Sequence, residues 1–305
     1  AKAPAARPSL PAQRWQAGHV HWREASADRR AATKGICVGL RQLGWCRTGE
    51  RKHDGDMTDK HRKAAMVIGA SRGIGAAAAA ALARKGVAVT LTSRSLTACE
   101  DLAGRLRAEG CIASAAELDV RDAEQAVETV EAAAARYGRL DQAFINAGVL
   151  LGGSLLQDTP LSRFRDTIDT NLGGVFHALR ALIPVMSRQP GGAIVVNSAG
   201  SGLRGRAMVA DYAASKWGAI GLALSAAQET GPKGLRINVI APGYIGTDAW
   251  MGLLGAQAPT LAQRVPLGRI GTPEEVADVA AWLLSDEARY VHGVVVPIDG
   301  GLLTG

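Results

Sequence analysis

Cysteine is scarce in this sequence, with Cys37, Cys46, Cys99 and Cys111 the only four in 305 residues. That is too few for a disulfide scaffold, and no two form a CxxC pair, so zinc and redox-motif readings fall away. No metal site is expected. No apolar run approaches the roughly 18–20 residues that a membrane span needs. The longest uncharged bland stretch, Ala76 to Ala83, is mostly alanine and reads as a helix. Apolar residues make up 47%, charged residues 21% and glycine 37 of 305, which excludes a disordered, collagen-like or coiled-coil chain. A chain of this length can bury a sizeable core.

An excess of positive charge is also missing from most of the chain. The net charge of +7 by itself suggests a nucleic-acid partner. Residues 1–56, however, hold 11 Lys+Arg against 5 Asp+Glu, while the other 249 hold 24 against 23. The basic character belongs to the tail, and neither a nucleic-acid nor a membrane partner is expected for the nearly neutral body. The tail carries Trp15, Trp22 and Trp45, three of the six tryptophans, and keeps neither a helical nor a strand period. It lacks the charged and apolar regions of a secretory signal. Four basic residues, Lys2, Arg7, Arg14 and Arg23, precede its first acidic one, Glu24, a faint likeness to a mitochondrial transit peptide. It reads as a disordered basic leader, with the natural start near Met57. A targeting segment and a small accessory element are the alternatives.

From Ala64 onward, short β-rich apolar runs alternate with longer helical ones. Strands are expected at Ala65–Gly69, Val87–Thr92, Ile112–Leu118, Leu140–Ile145, Ala193–Asn197, Leu235–Ile240 and Gly293–Pro297. Helices are expected at Gly73–Lys85, Leu96–Glu109, Asp122–Tyr137, a long stretch from about Leu161 to Met186, Val209–Glu229 and Pro273–Leu284. Strands apolar on both faces and joined by helices imply a Rossmann-like, doubly wound parallel sheet of about seven strands in one domain over 57–305. Residues Ile245–Leu267 break the rhythm and read as a lid or substrate loop.

Three patterns carry chemistry. The first strand runs into Gly69-Ala70-Ser71-Arg72-Gly73-Ile74-Gly75 and then a helix. A glycine-rich turn there lets backbone approach a pyrophosphate, and the helix N-terminus supplies N–H groups. The end of the second strand, Leu91-Thr92-Ser93-Arg94, lacks the carboxylate that would hold an NAD ribose. Arg94, with Arg72, suits a 2′-phosphate through a forked, charge-assisted contact. Lastly, Tyr212-Ala213-Ala214-Ser215-Lys216 places Tyr212 and Lys216 on one helix face. A lysine ammonium beside a phenol is expected to lower the phenol's pKa.

With these motifs in order, the body resembles a classical short-chain dehydrogenase/reductase. The likeness extends through Asp119-Val120, Asn146-Ala147-Gly148, Asn171-Leu172-Gly173-Gly174-Val175-Phe176, Pro242-Gly243 and Asp299-Gly300-Gly301. The resemblance implies that Asp119 holds the adenine amino group, Val120 packs on the ring, and Asn146 braces the central strands. It implies that Asn171 holds a water linking Lys216 to solvent, that Lys216 also binds the nicotinamide ribose, and that the Ile245 backbone and Thr247 meet the carboxamide. The implied function is an NADP(H)-dependent carbonyl reductase or alcohol dehydrogenase with Tyr212 as general acid or base. The implied assembly is a cytoplasmic homo-oligomer, a tetramer. A catalytically impaired NADP-binding regulatory or scaffold protein is the alternative.

One position departs from the family. Its serine usually lies thirteen residues before the tyrosine, which here is Ala199. Ser198 serves if a bulge follows the fifth strand, Ser201 reaches in from the loop, or no serine serves. Leu150, Leu151, Leu203, Tyr244, Trp250 and Met251 are candidates for a partly apolar substrate pocket.

Overall fold

The computed structural model describes residues 62–189, 191–254 and 258–304. The leader expected over 1–56 lies outside them. The described chain contains seven strands, β1 (Ala64–Ile68), β2 (Ala88–Ser93), β3 (Ala113–Glu117), β4 (Gln142–Ile145), β5 (Ala193–Asn197), β6 (Arg236–Pro242) and β7 (Val295–Ile298). They form one parallel sheet in the order β3-β2-β1-β4-β5-β6-β7. The helices are α1 (Gly73–Arg84), α2 (Leu96–Ala108), α3 (Ala123–Tyr137), α4 (Leu161–Ile168), α5 (Gly174–Met186), α6 (Ala210–Thr230), α7 (Asp248–Leu254), α8 (Ala258–Ala262) and α9 (Pro273–Leu284).

Strand β1 shows why the sheet is covered on both sides. All five of its residues are buried. Met66 and Ile68 join a core with Val130 of α3, Leu182 of α5 and Ala223 of α6. Ala65 and Val67 join the opposite core, with Leu82 of α1, Leu102 of α2 and Leu283 of α9. Successive side chains point to opposite faces, so a run apolar at every position needs a layer on each side. No described helix is long and apolar enough to cross a membrane.

Local chemistry fixes the helix ends. Ser95 accepts a hydrogen bond from Ala98 N–H at the start of α2, and Asp122 accepts from Glu124 and Gln125 at the start of α3. Thr272 and Glu275 form a reciprocal capping box on α9, with Pro273 in its first turn. The single long helix expected over 161–186 is corrected. It is broken by a π-helical turn, Asp169–Gly173, between α4 and α5. Asn171 and two glycines are weak helix formers, and the Asn171 amide finds better partners outside the helix than along it.

Candidate active site

Sheet order reverses direction at β1, whose neighbours are β2 and β4, and the carboxyl ends of the strands there leave a crevice. A cleft of about 1470 Å³ opens at that end. Gly69, Ser71, Arg72, Gly73, Ile74, Ser93, Arg94, Asp119, Val120, Asn146, Ala147 and Gly148 line it, as do Tyr212, Lys216, Pro242, Gly243, Ile245 and Thr247. Two expected site residues stand behind its wall: Gly75 and Asn171 are both buried.

The glycine turn is built for close approach. Gly69 has φ +87°, and a Cβ on Gly75 would lie 2.0 Å from the Gly69 carbonyl oxygen and 2.6 Å from Asn146 Nδ2. Asn146 Nδ2 donates to that same carbonyl at 2.8 Å, and Asn197 Nδ2 donates to Asn146 Oδ1 at 2.8 Å. The pair thus ties the ends of β4 and β5 to the turn. The first turn of α1 has neither a side-chain cap nor an acidic residue. Its open N–H groups and positive dipole end fit the pyrophosphate of a dinucleotide.

At the far end, the Ser93 hydroxyl donates to the Ser95 carbonyl and accepts from Ser95 N–H. Arg94 is exposed beside them and acts electrostatically on Asp119. Asp119 itself grips Arg121, with Nε at 3.0 and 3.1 Å from its two oxygens, and that partner holds its carboxyl below the usual range. Val120 meets Gly174 so closely that a Cβ there would lie 2.6 Å from Val120 Cγ2. Thr247 caps α7 by accepting from Trp250 N–H at 3.3 Å, and its methyl packs on Gly73. Helix α7 therefore starts against the glycine turn.

Tyr212 and Lys216 lie in the first and second turns of α6, on the cleft side. Lys216 Nζ is 5.7 Å from the Tyr212 ring centroid and donates to the Asn197 carbonyl at 3.0 Å. The expected lowering of the phenol is corrected. Burial pushes Tyr212 up to about 12 and Lys216 down to about 8. Desolvation penalises both charged forms, and with the ammonium turned to a carbonyl its attraction does not offset that penalty. Asn171 Oδ1 accepts from Val149 N–H at 2.7 Å, and its Nδ2 donates to the Val149 carbonyl and to Ser215 Oγ. A Cβ on Gly148 would lie 3.2 Å from Asn171 Oδ1 and 3.3 Å from Lys216 Nζ. The glycine keeps the space between amide and ammonium clear.

Ser198 lines the cleft, but its hydroxyl is engaged elsewhere. No bulge interrupts the ladder up to Ser198: the pairing of β5 with β6 runs unbroken from Ala193 to Asn197, and Ser198 N–H continues it to the Ile240 carbonyl at 2.8 Å. Ser198 Oγ therefore points to the helix side, donates to the Lys216 carbonyl at 3.0 Å and is walled in by Gly202. Ala199 follows in extended conformation on the cleft wall, and Ser201 lies in a short 3-10 turn.

The substrate half is lined by Leu150, Leu151, Tyr244 and Trp250, as expected. Leu203 and Met251 are corrections. Leu203 packs against the α3–α5–α6 core, and Met251 is exposed off the cleft. Sequence reading missed Arg206, Met208, Arg264, Leu302 and Leu303, which also line the cleft. Leu303 is brought there by Asp299, whose carboxylate accepts from Gly301 and Leu303 N–H.

One buried ion pair anchors this half. Arg163 Nε donates to Asp211 Oδ2 at 3.0 Å, and its Nη2 donates to Ser154 Oγ and Thr159 Oγ1. The side chains are 13% and 3% exposed, and Asp211 immediately precedes Tyr212. Asp211→Ala strands a buried guanidinium, so urea unfolding should show a loss of about 3–5 kcal/mol. A loss below about 1 kcal/mol would mean the pair behaves like an exposed one.

A family model described as enoyl-(acyl carrier protein) reductase matches residues 69–303. Cyclohexanol dehydrogenase of Acinetobacter sp. (strain SE19) is 36% identical over 240 residues, spanning 79% of this chain and 94% of that protein. The 3-oxoacyl-(acyl-carrier-protein) reductase of Staphylococcus aureus (strain Mu50 / ATCC 700699) is 35% identical over 244 residues, spanning 80% and 99%. Among solved structures, levodione reductase superposes with a TM-score of 0.75 at 34% identity, covering 81% of this chain and 98% of that one. With this match over most of its length, and the glycine turn, Tyr212 and Lys216 gathered in one cleft, the chain belongs to the short-chain dehydrogenase/reductase family of oxidoreductases.

Proposed function

We propose that this protein is an NADP(H)-dependent carbonyl reductase, running backward as a secondary-alcohol dehydrogenase. The observation that carries the reading is the juxtaposition of Tyr212 and Lys216 on the wall of the cleft that the glycine turn opens. When bound, the nicotinamide supplies the hydride. The protein's part is to position the substrate and move a proton. A phenol held near 12 is protonated at neutral pH, so Tyr212 can donate its proton to a carbonyl oxygen. The amide of Asn171 and the ammonium of Lys216 face the same small space across Gly148, a route for returning that proton from solvent. The hydroxyl of Ser198 is committed to the Lys216 carbonyl, which leaves Ser201, on the cleft wall, or no serine at all to assist. The substrate is a small carbonyl or alcohol, and the site of action is read as the cytoplasm. Exposed Phe164, Phe176 and Trp217 on α4, α5 and α6 support a homo-oligomeric assembly, read as a tetramer.

A panel of diverse carbonyl compounds, followed by loss of NADPH absorbance, tests the reading. The absence of turnover with any of them would favour the scaffold alternative. Direction should respond to pH. Oxidation needs the phenolate, and a pKa raised to about 12 makes that form rare at neutrality, so alcohol oxidation should climb as pH rises. Carbonyl reduction, which needs the neutral phenol, should not climb with it. Oxidation that peaked near neutral pH and fell above it would contradict this role for Tyr212.

Cofactor preference rests on Arg94 and on the lack of a carboxylate at Ser93. NADPH should be preferred to NADH. Ser93→Asp combined with Arg94→Ala should reverse the preference, because a carboxylate repels the 2′-phosphate and accepts from the ribose hydroxyl. Equal kcat/KM for both cofactors in the parent enzyme would remove the basis of the assignment.

A further inference from the structure

The substrate half of the cleft is basic in a body that is otherwise balanced. Arg204, Arg206 and Arg264 line it, against the single carboxylate of Asp248 at the start of α7. Residues 57–305 as a whole hold 24 Lys+Arg and 23 Asp+Glu, so general basicity does not account for the cluster. The cleft's second carboxylate, Asp119, lies at the cofactor end and is gripped by Arg121.

Arg206 is held in place. Its guanidinium carbon lies 4.6 Å from the Tyr244 ring centroid, and its Nη2 donates to the Tyr244 hydroxyl. Tyr244 is buried and stacks on Trp250, with centroids 5.3 Å apart and planes 20° from parallel. A guanidinium carries five N–H donors, and the tyrosine hydroxyl occupies one of them. Seating the arginine on an aromatic removes rotamer freedom before a ligand arrives, so less is lost on binding. The same cleft is also lined by the apolar side chains of Leu150, Trp250, Leu261 and Leu303. A fixed forked donor in a cleft that also offers apolar surface suits an anion carried on a hydrocarbon span.

We infer that the substrate bears an oxyanion, a carboxylate or a phosphate, separated from the reacting carbonyl by a short apolar span, and that Arg206 receives it. The inference rests on the carbonyl-reductase reading above and names the substrate class of that same site.

The test uses the full chain with NADPH and a homologous series of keto acids, their methyl esters and the matching keto alkyl phosphates. At least one anion should show a KM about 10–100-fold below that of its neutral partner, the range expected for a charge-assisted hydrogen bond. Whether the acid or the phosphate wins identifies the oxyanion. The anion-over-ester ratio should collapse toward unity in Arg206→Gln and fall part-way in Arg206→Lys, which keeps the charge but not the stacked plane. Equal KM for anions and esters in the parent enzyme overturns the inference and leaves the reductase standing. If no carbonyl is reduced, the reductase reading fails by itself. Calorimetric titration with a saturated carboxylate and its methyl ester then still decides the oxyanion site. Binding of the carboxylate that is lost in Arg206→Gln supports the site, and binding of neither or of both equally overturns it.

Discussion

Tyr212→Phe is expected to lower turnover by about 10²–10⁴-fold, the usual worth of general acid–base help. NADPH affinity should stay close to that of the parent. The substitution keeps the ring that fills the half-buried site on α6 and deletes only the transferable proton. The backbone around it is fixed independently of the hydroxyl: Ser215 Oγ donates to the Tyr212 carbonyl at 2.7 Å and accepts from Asn171. Loss of the phenol therefore leaves the cleft shaped as before, which separates a chemical effect from a structural one. Steady-state kinetics and a cofactor titration on the same preparation read the two quantities. Retention of more than about a tenth of the parent rate would contradict proton transfer by Tyr212.

The second large effect is a gain. Ala199→Ser should raise kcat for carbonyl reduction by roughly ten- to a hundredfold, since one preorganised donor to a developing oxyanion is worth about 10²–10³. Ala199 has extended backbone angles that any residue adopts, and it lies on the cleft wall 9% exposed. A hydroxyl added there faces the site, whereas the hydroxyl of Ser198 faces the Lys216 carbonyl. Ser198→Ala should accordingly leave kcat within a few-fold and lower the melting temperature, as the loss of one buried hydrogen bond does. If Ala199→Ser changed nothing while Ser198→Ala abolished activity, the orientation of β5's end in the working enzyme would have to differ from that described.

Why these points were hard to read from the sequence follows from the kind of signal each leaves. Strand β5 and helix α9 match their expected limits residue for residue, because an apolar run and a Thr-Pro-Glu-Glu start are local signals. The glycine turn was equally legible, since its need for close approach falls on Gly69, Gly73 and Gly75 themselves. The π-helical turn was not. Its stability comes from Val149, 22 residues before Asn171, and no local pattern reports that partner. Counting back from Tyr212 found Ala199 at once. Judging Ser198 needed the register of β5 on β6, a pairing across 43 residues from Ala193 to Arg236. The same holds for Tyr212, where spacing gave the neighbour but not the burial that dominates its protonation.

The sheet order has a consequence for how the chain is made. Strand β1 sits between β2 and β4, and Ala64 pairs through its N–H with Asp141, 77 residues later. During synthesis at ~5–20 residues per second, one edge of the apolar Ala64–Ile68 segment waits roughly 4–15 s for its partner to emerge. Unpaired β edges of this kind are templates for intermolecular pairing. The arrangement that creates the cofactor crevice thus also creates a window of vulnerability on the ribosome, closed only when β4 docks beside β1.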